Sequence, residues 1–140
     1  MSERVGDSAS TFSVMCIDDN VLLVDALEGR LRLEAGFSGM LRVDDFSRSV
    51  DAVVDTQPTI VVLDIDLPGG VDAMSILAGI VKEAPESRVI MFTGHPTSAL
   101  VSRTMARGAW GFVSKGTTPD RLIDAIQRVR RGDVVIELDD

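Results

Sequence analysis

The chain has 140 residues, 45% of them apolar and 26% charged, and a formal net charge of −8 at pH 7. This composition predicts one globular domain that buries a core without structural metal, and the single cysteine, Cys16, excludes an internal disulfide. The acidic balance argues against direct nucleic acid binding by this domain. Since no apolar run has the length of a membrane span or the position of a signal peptide, we expect a cytoplasmic protein without a membrane partner.

The chain divides into three parts. Residues 1–11 are polar and are predicted to be a disordered lead-in, and residues 12–132 are predicted to form the globular domain. Residues 133–140 are predicted to be a C-terminal tail or the start of a linker. Within them, residues 134–138 fit either a sixth edge strand or part of that linker.

Strand-like and helix-like segments alternate within the globular part. Apolar runs predict five strands at residues 12–17, 40–43, 59–63, 88–92 and 110–114. Helical spacing, with Gly and Pro as stops, predicts five helices at residues 21–35, 47–55, 72–84, 97–107 and 119–131. In the first helix, Leu22 and Leu33 are counted with the apolar face. The alternation predicts an α/β fold, a doubly wound five-stranded parallel sheet with helices on both faces.

Polar residues stand at the ends of four predicted strands. Asp18 and Asp19 follow the first strand, Asp64 the third, Thr93 the fourth, and Lys115 the fifth. Because the carboxyl ends of parallel strands share one edge of the sheet, these residues are expected to meet there. Three carboxylates, a hydroxyl and an ammonium suit a divalent cation and a phosphoryl group.

Each residue type has a chemical reason to be in such a site. A hard divalent cation held by carboxylate oxygens allows a carboxylate such as Asp64 to attack a phosphoryl dianion, and Asp64 can be both ligand and nucleophile. Without metal, clustered carboxylates repel one another, which should raise the pKa of at least one. Taken singly, each is more simply a turn former, a helix cap or a surface residue, but their ordered occurrence favours a site.

Four motifs carry a family resemblance. They are Cys-Ile-Asp-Asp-Asn (16–20), Val-Leu-Asp-Ile-Asp-Leu-Pro (62–68), Met-Phe-Thr-Gly (91–94) and Gly-Ala-Trp-Gly-Phe-Val-Ser-Lys-Gly (108–116). Over residues 12–131 the chain resembles the receiver domain of two-component response regulators, and its last third resembles the NarL/LuxR-like branch. The resemblance implies the flavodoxin-like receiver fold.

The resemblance also implies a function. A sensor histidine kinase would transfer a phosphoryl group to the domain, which would act as a signalling phosphoacceptor and not as an enzyme on other substrates. Phosphorylation would switch its output face to regulate transcription through a DNA-binding output domain or protein partner outside these residues. Homodimers are common in the family.

Roles for individual residues follow from the same resemblance. Asp64 would be the phosphoacceptor. Mg²⁺ or Mn²⁺ would be held by Asp18, Asp19, Asp64 and the backbone carbonyl of Asp66. Thr93 and Lys115 would bind the phosphoryl group, and Thr93 and Phe112 would rearrange on phosphorylation, with the ring turning inward. Asp66 and His95 occupy positions that tune the lifetime of the phosphoryl group.

The chain departs from the family pattern in two places. Lys115 is followed by Gly116 where the family commonly has proline, and the loop 69–73 is one residue longer than usual. The longer loop keeps open a pseudo-receiver, a binding module that is not phosphorylated, although the complete set of acidic residues, Thr93 and Lys115 argues against it. The segment Leu63-Asp64-Ile65-Asp66 also resembles the Asp-x-Asp motif of haloacid-dehalogenase-type phosphatases. Against a phosphatase, the acidic pair 18–19 precedes this motif and the chain has no cap domain.

Overall fold

The computed structural model describes residues 10–138. The predicted disordered lead-in, residues 1–11, therefore lies outside the described residues except for its last two. The strands are β1 (Phe12–Ile17), β2 (Phe37–Arg42), β3 (Ile60–Asp64), β4 (Arg88–Thr93), β5 (Gly111–Ser114) and β6 (Val135–Glu137). The helices are α1 (Val21–Leu31), α2 (Ser49–Thr56), α3 (Ala73–Glu83), α4 (Ser98–Ala106) and α5 (Pro119–Arg130), and a 3₁₀ turn (Phe46–Arg48) precedes α2.

The strands form one parallel sheet in the order β2-β1-β3-β4-β5-β6. This confirms the α/β fold with helices on both faces, but the prediction of five strands is wrong, because residues 135–137 add β6 beside β5. The sequence signal for β6 is weak because the strand has only three residues, and of these only Val135 is buried. Its burial against α5 gives this segment a reason to dock on the sheet.

Two hydrophobic layers cover the sheet. On one face α1 and α5 pack against strand residues such as Val62 and Val113. On the other face α2, α3 and α4 pack against residues such as Leu63 and Phe112. Every residue of β3 is buried, as the continuous apolar run predicts for a strand covered on both faces. Asp64, the last residue of β3, is therefore held by a rigid central strand.

The first helix is shorter than predicted. It ends at Leu31, and Gly36, at φ +87°, turns the chain so that β2 begins at Phe37, three residues earlier than expected. Phe12 N donates a hydrogen bond to Gly36 O at 2.9 Å, which aligns β1 with β2. Leu22 and Leu33 are 80% and 75% exposed, so their assignment to the apolar face is wrong.

The ends of the other helices explain the loops around the sheet edge. Asp72, in the lengthened loop, is the N-cap of α3 and accepts a hydrogen bond from Met74 N at 3.0 Å. α5 begins with Pro119, and its N-cap residue Thr118 makes no side-chain capping bond. Among the described helices, none is both long and apolar enough to cross a membrane.

Candidate functional site

The carboxyl ends of β1, β3, β4 and β5 bring the predicted polar residues to one edge. β1 and β3 are paired up to Ile17 and Leu63, so Asp18 and Asp64 follow neighbouring positions in the sheet. At the ends of β4 and β5, Thr93 is paired with Ser114. Lys115 comes next, and its backbone N donates to Thr93 O at 2.8 Å.

Asp18, Asp19 and Asp64 form an acidic cluster. Each offers a carboxylate oxygen, and these oxygens all lie within 4.8 Å of one another. Asp64 is 2% exposed, whereas Asp19 faces solvent. Asp18 Oδ1 accepts from Asn20 N at 2.8 Å, and Asp64 Oδ1 accepts from Asp66 N at 3.0 Å. These backbone donors fix the orientation of both carboxylates and use one oxygen of each.

Lys115 faces the remaining oxygens of the cluster. Its Nζ lies 2.9 Å from Asp18 Oδ2 and 3.3 Å from Asp64 Oδ2. The buried Asp18 Oδ2 atom is in an ion pair with the Lys115 ammonium and has no further hydrogen-bond partner among the described residues. A buried carboxylate oxygen in this condition favours a further cationic partner.

Burial and charge shift the acidity of three groups here. Burial, reinforced by the Asp18 charge, raises the pKa of Asp64, although hydrogen bonding to Asp66 N and the nearby Lys115 oppose this. Burial alone would lower the pKa of Lys115. The contacts with Asp18 and, to a smaller extent, Asp64 outweigh burial, and the pKa of Lys115 is therefore raised. Beneath the site, burial and then Asp18 raise the pKa of Cys16 to about 12, so the thiol stays protonated at neutral pH.

Thr93 is bonded to the two residues predicted to tune the phosphoryl lifetime. Its hydroxyl donates to Asp66 Oδ2 at 3.2 Å and accepts from His95 N at 3.1 Å. The His95 ring lies 3.4 Å from the same Asp66 oxygen and is 86% exposed. The structure therefore places Asp66, Thr93 and His95 together. The hydrogen bond that the Asp66 side chain accepts from Thr93 has no signal in the sequence beyond the position of Asp66 two residues after Asp64.

Phe112 lies apart from the cluster, within the α3 and α4 layer. Its side chain is completely buried, so the ring already has the inward position that the resemblance associates with phosphorylation. A phenylalanine has no hydroxyl that could draw the ring toward solvent, and burial is its ordinary state. The peptide bond between Lys115 and Gly116 is trans.

The acidic cluster could hold a divalent metal ion. Its donors are all carboxylate oxygens, the set that hard divalent cations prefer, and they converge within the span of one coordination sphere. The incompletely bonded Asp18 Oδ2 adds an acceptor inside the cluster. The residues present therefore fit a hard divalent cation.

Fold and site together define a signalling receiver, an α/β domain with acidic, hydroxyl and ammonium groups at the carboxyl edge of a parallel sheet. The chain belongs to the response regulator receiver domain family, whose sequence profile matches residues 14–127. It is thus the receiver domain of a two-component response regulator. The family match does not favour the phosphatase or pseudo-receiver alternatives.

Its relatives are response regulators of the NarL/LuxR type. A nitrate/nitrite response regulator homologue of Haemophilus influenzae is 24% identical over 88% of this chain and 59% of its own length. UvrY of Escherichia coli is 31% identical over 86% of this chain and 58% of its own length. A LuxR-family regulator from Aurantimonas sp. SI85-9A1 superposes with a TM-score of 0.82, with 26% identity and coverage of 90% of this chain and 89% of that one. The chain spans less than two thirds of the length of the curated relatives it matches.

Proposed function

We propose that Asp64 accepts a phosphoryl group and that the resulting charge switches this receiver domain. The observation that carries the proposal is the placement of the buried Asp64 carboxylate 3.3 Å from the Lys115 ammonium, inside the acidic cluster. A buried carboxylate with a fixed cation beside it is arranged to take on, and then stabilise, added negative charge. A turn-forming aspartate would need neither the burial nor the lysine.

The chemistry at Asp64 is a transfer between nitrogen and oxygen. An oxygen of Asp64 forms a bond to phosphorus as the bond from phosphorus to the donor's histidine nitrogen breaks, and the leaving imidazole takes up a proton. Lys115 offsets charge on the transferred oxygens, and the Thr93 hydroxyl donates to one of them after leaving Asp66. The domain acts on no other substrate and catalyses only its own phosphorylation and dephosphorylation.

Mg²⁺ (or Mn²⁺) is the cofactor that this donor set suits. Asp18, Asp19 and Asp64 would hold it through carboxylate oxygens, and the backbone carbonyl of Asp66 would supply a further ligand. When bound, the cation offsets the repulsion between the Asp64 carboxylate and the incoming phosphoryl dianion. Lys115 is in contact with Asp18 and Asp64, so its ammonium offsets part of the negative charge of the carboxylates even without the cation.

The switch starts from the contacts of Thr93. A phosphoryl group on Asp64 adds roughly −1.5 to −2 charges and strong acceptors, which compete with the Asp66 carboxylate for the Thr93 hydroxyl. If the phosphoryl group interacts more favourably with one arrangement of Thr93 than with the other, the population shifts toward the favoured arrangement. Asp66 tunes the phosphoryl lifetime through Thr93, and His95 tunes it from the rim of the site. Phe112 responds as a buried ring whose packing changes with Thr93.

A sensor histidine kinase is the proposed donor, and we expect this domain to act in the cytoplasm. Val21 and Leu22, next to the acidic pair at the start of α1, are 62% and 80% exposed. An apolar contact surface this close to Asp64 suits a donor protein that presents a phosphohistidine. The relatives' names support an output in transcription, through a DNA-binding domain or a protein partner, and a homodimer would fit the family.

One experiment tests the phosphoacceptor. The full chain is incubated with Mg²⁺ and acetyl phosphate, and its intact mass is measured. We expect one acid-labile phosphoryl adduct, which is lost in Asp64→Asn and retained in Asp66→Asn, a matched variant two residues away. A protein that acquires no adduct would favour the pseudo-receiver.

A further inference from the structure

β6 has no part in the site described above, yet it is attached to the strand that carries Phe112. In the β5–β6 ladder Phe112 pairs with Ile136 and Val113 pairs with Glu137. β5 has four residues and lies between β4 and β6, and Lys115 follows it directly. Movement at the end of β5 therefore reaches β6 through shared backbone pairing.

Few contacts hold β6 in place. Val135 is 2% exposed, and its backbone N donates to Trp110 O at 3.1 Å. Glu137 Oε1 lies 2.9 Å from Arg121 Nη1 of α5, and Glu137 Oε2 lies 3.8 Å from Arg128 Nη1 of the same helix. The other apolar side chains of this segment face outward, with Val134 60% and Ile136 49% exposed. A short edge strand with one buried anchor opens more readily than the core of the sheet.

We infer that pairing of β6 with β5 opposes phosphorylation of Asp64, so that phosphoryl transfer loosens β6 and exposes residues 134–138 as an output element. The inference rests on the proposed function of Asp64. A phosphoryl group there attracts Thr93 and Lys115 toward β3, on the side of β5 away from β6. β6 does not follow, because Arg121 and Arg128 of α5 hold Glu137 through ion pairs.

The coupling must be reciprocal. If phosphorylation weakens β6 pairing by some factor, then weakening the pairing favours phosphorylation by the same factor. Two substitutions weaken the attachment without touching the site. Val135→Ala removes the buried anchor, with Val134→Ala as its exposed control. Glu137→Gln removes the charge that faces Arg121 and Arg128. Asp51→Asn is its control, since Asp51 Oδ2 lies 3.7 Å from Arg48 Nη2 in an exposed ion pair away from β6 and α5.

The test measures amide hydrogen exchange of residues 135–137 in the full chain, before and after phosphorylation by acetyl phosphate, with intact mass reporting the adduct. We expect exchange to rise about fivefold or more in the phosphorylated protein. Val135→Ala and Glu137→Gln should become phosphorylated to a greater extent than their controls at limiting acetyl phosphate. Equal exchange in the two forms, with the adduct present, overturns the inference while leaving Asp64 as phosphoacceptor.

A second measurement needs no phosphoryl group, so it separates the two proposals. Phe112→Leu loosens the β5 residue that pairs with Ile136, whereas Met91→Leu changes the β4 residue on the other side of Phe112. We expect faster exchange at residues 135–137 in Phe112→Leu than in Met91→Leu. Absence of an adduct on the wild type refutes the proposed function, and equal exchange in these two variants refutes the coupling by itself.

Discussion

The Thr93 hydroxyl donates a hydrogen bond to the Asp66 carboxylate, with 3.2 Å between Oγ1 and Oδ2. Thr93 is completely buried, whereas the Asp66 side chain is 58% exposed. The hydroxyl that is proposed to bind the phosphoryl group is therefore already bonded to a carboxylate at the rim of the same site. Any rearrangement of Thr93 begins with the loss of this bond.

Replacing Asp66 should make that rearrangement easier. In Asp66→Ala the Thr93 hydroxyl loses its acceptor, so we expect phosphorylation at limiting acetyl phosphate to rise about fivefold, the equivalent of a hydrogen bond worth about 1 kcal/mol. Asp55→Ala is the control, because Asp55 is an exposed acidic residue of α2 that lies outside the site. We expect that control to stay within about twofold of the wild type. Equal behaviour of the two variants would show that the Asp66 bond does not restrain Thr93.

Lys115 should stabilise the fold as well as the phosphoryl group. Lys115→Met leaves Asp18 and Asp64 facing each other without their cation, and we expect the free energy of unfolding at pH 7 to fall by about 1–3 kcal/mol. Lys82→Met, on the exposed side of α3, should change it by less than about 0.5 kcal/mol. Urea titrations of both variants provide the measurement.

The loss of stability in Lys115→Met should depend on pH in a defined direction. The pKa of Lys115 is raised in the fold, so its contribution is complete at neutral pH and disappears only as the pH rises through that raised value. The pKa of Asp64 is also raised, so acidification below neutrality protonates Asp64 and relieves the repulsion in Lys115→Met. The difference in free energy of unfolding between the wild type and Lys115→Met should therefore become smaller as the pH falls. A difference that becomes larger would contradict this account of the cluster.

Divalent cation binding should depend on pH through the same carboxylate. Because the pKa of Asp64 is raised, protons should begin to compete with Mg²⁺ at a higher pH than they do at an ordinary aspartate, and affinity should fall on acidification. Calorimetric titration at several pH values measures this. Asp19→Asn should weaken binding by about tenfold or more. Asp44→Asn, an exposed acidic residue outside the cluster, should leave it within about twofold, and an equal loss in both variants would indicate nonspecific attraction.

Two helical glycines should respond oppositely to alanine. A Cβ at Gly79 would lie 2.7 Å from Val50 Cγ2, where α3 packs against α2. Since the valine side chain is stiff, Gly79→Ala should lower the free energy of unfolding by about 1–3 kcal/mol. Gly29, in α1, has nothing within 4 Å of that position, so Gly29→Ala should raise it by about 0.5–1 kcal/mol. If both Gly79→Ala and Gly29→Ala lowered the free energy of unfolding, the clash with Val50 would not explain the effect at Gly79.

The sequence predicts the central part of this fold well because its signals there are strong. β3 is buried on both faces and reads as an uninterrupted apolar run up to Asp64. The polar residues at the strand ends follow from the geometry of a parallel sheet, which places them on one edge whatever the loops do. The sequence does not distinguish a sixth strand from a linker at residues 134–138, because β6 has three residues with one buried side chain and so carries little pattern. Pairing with β5, which is distant in sequence, determines that residues 135–137 form a strand.

Side-chain partners could not be predicted in the same way. The orientation of Asp66 toward Thr93 depends on the path of two loops, and Asp64 Oδ1 bonded to Asp66 N sets one of them. The first helix illustrates the same limit, since Leu22 has apolar character and suitable spacing but faces solvent at 80% exposure. Spacing gives a side chain's direction on a helix, whereas its neighbours determine whether that direction is covered.

The proposed site of phosphorylation can be mapped directly. The wild-type chain is phosphorylated with acetyl phosphate and Mg²⁺ and then reduced with borohydride, which converts an aspartyl phosphate to homoserine. Peptide mass spectrometry locates the changed residue. The account predicts homoserine at position 64 alone, with Asp18, Asp19 and Asp66 unchanged. Homoserine at any of those three positions, or at none, would contradict it.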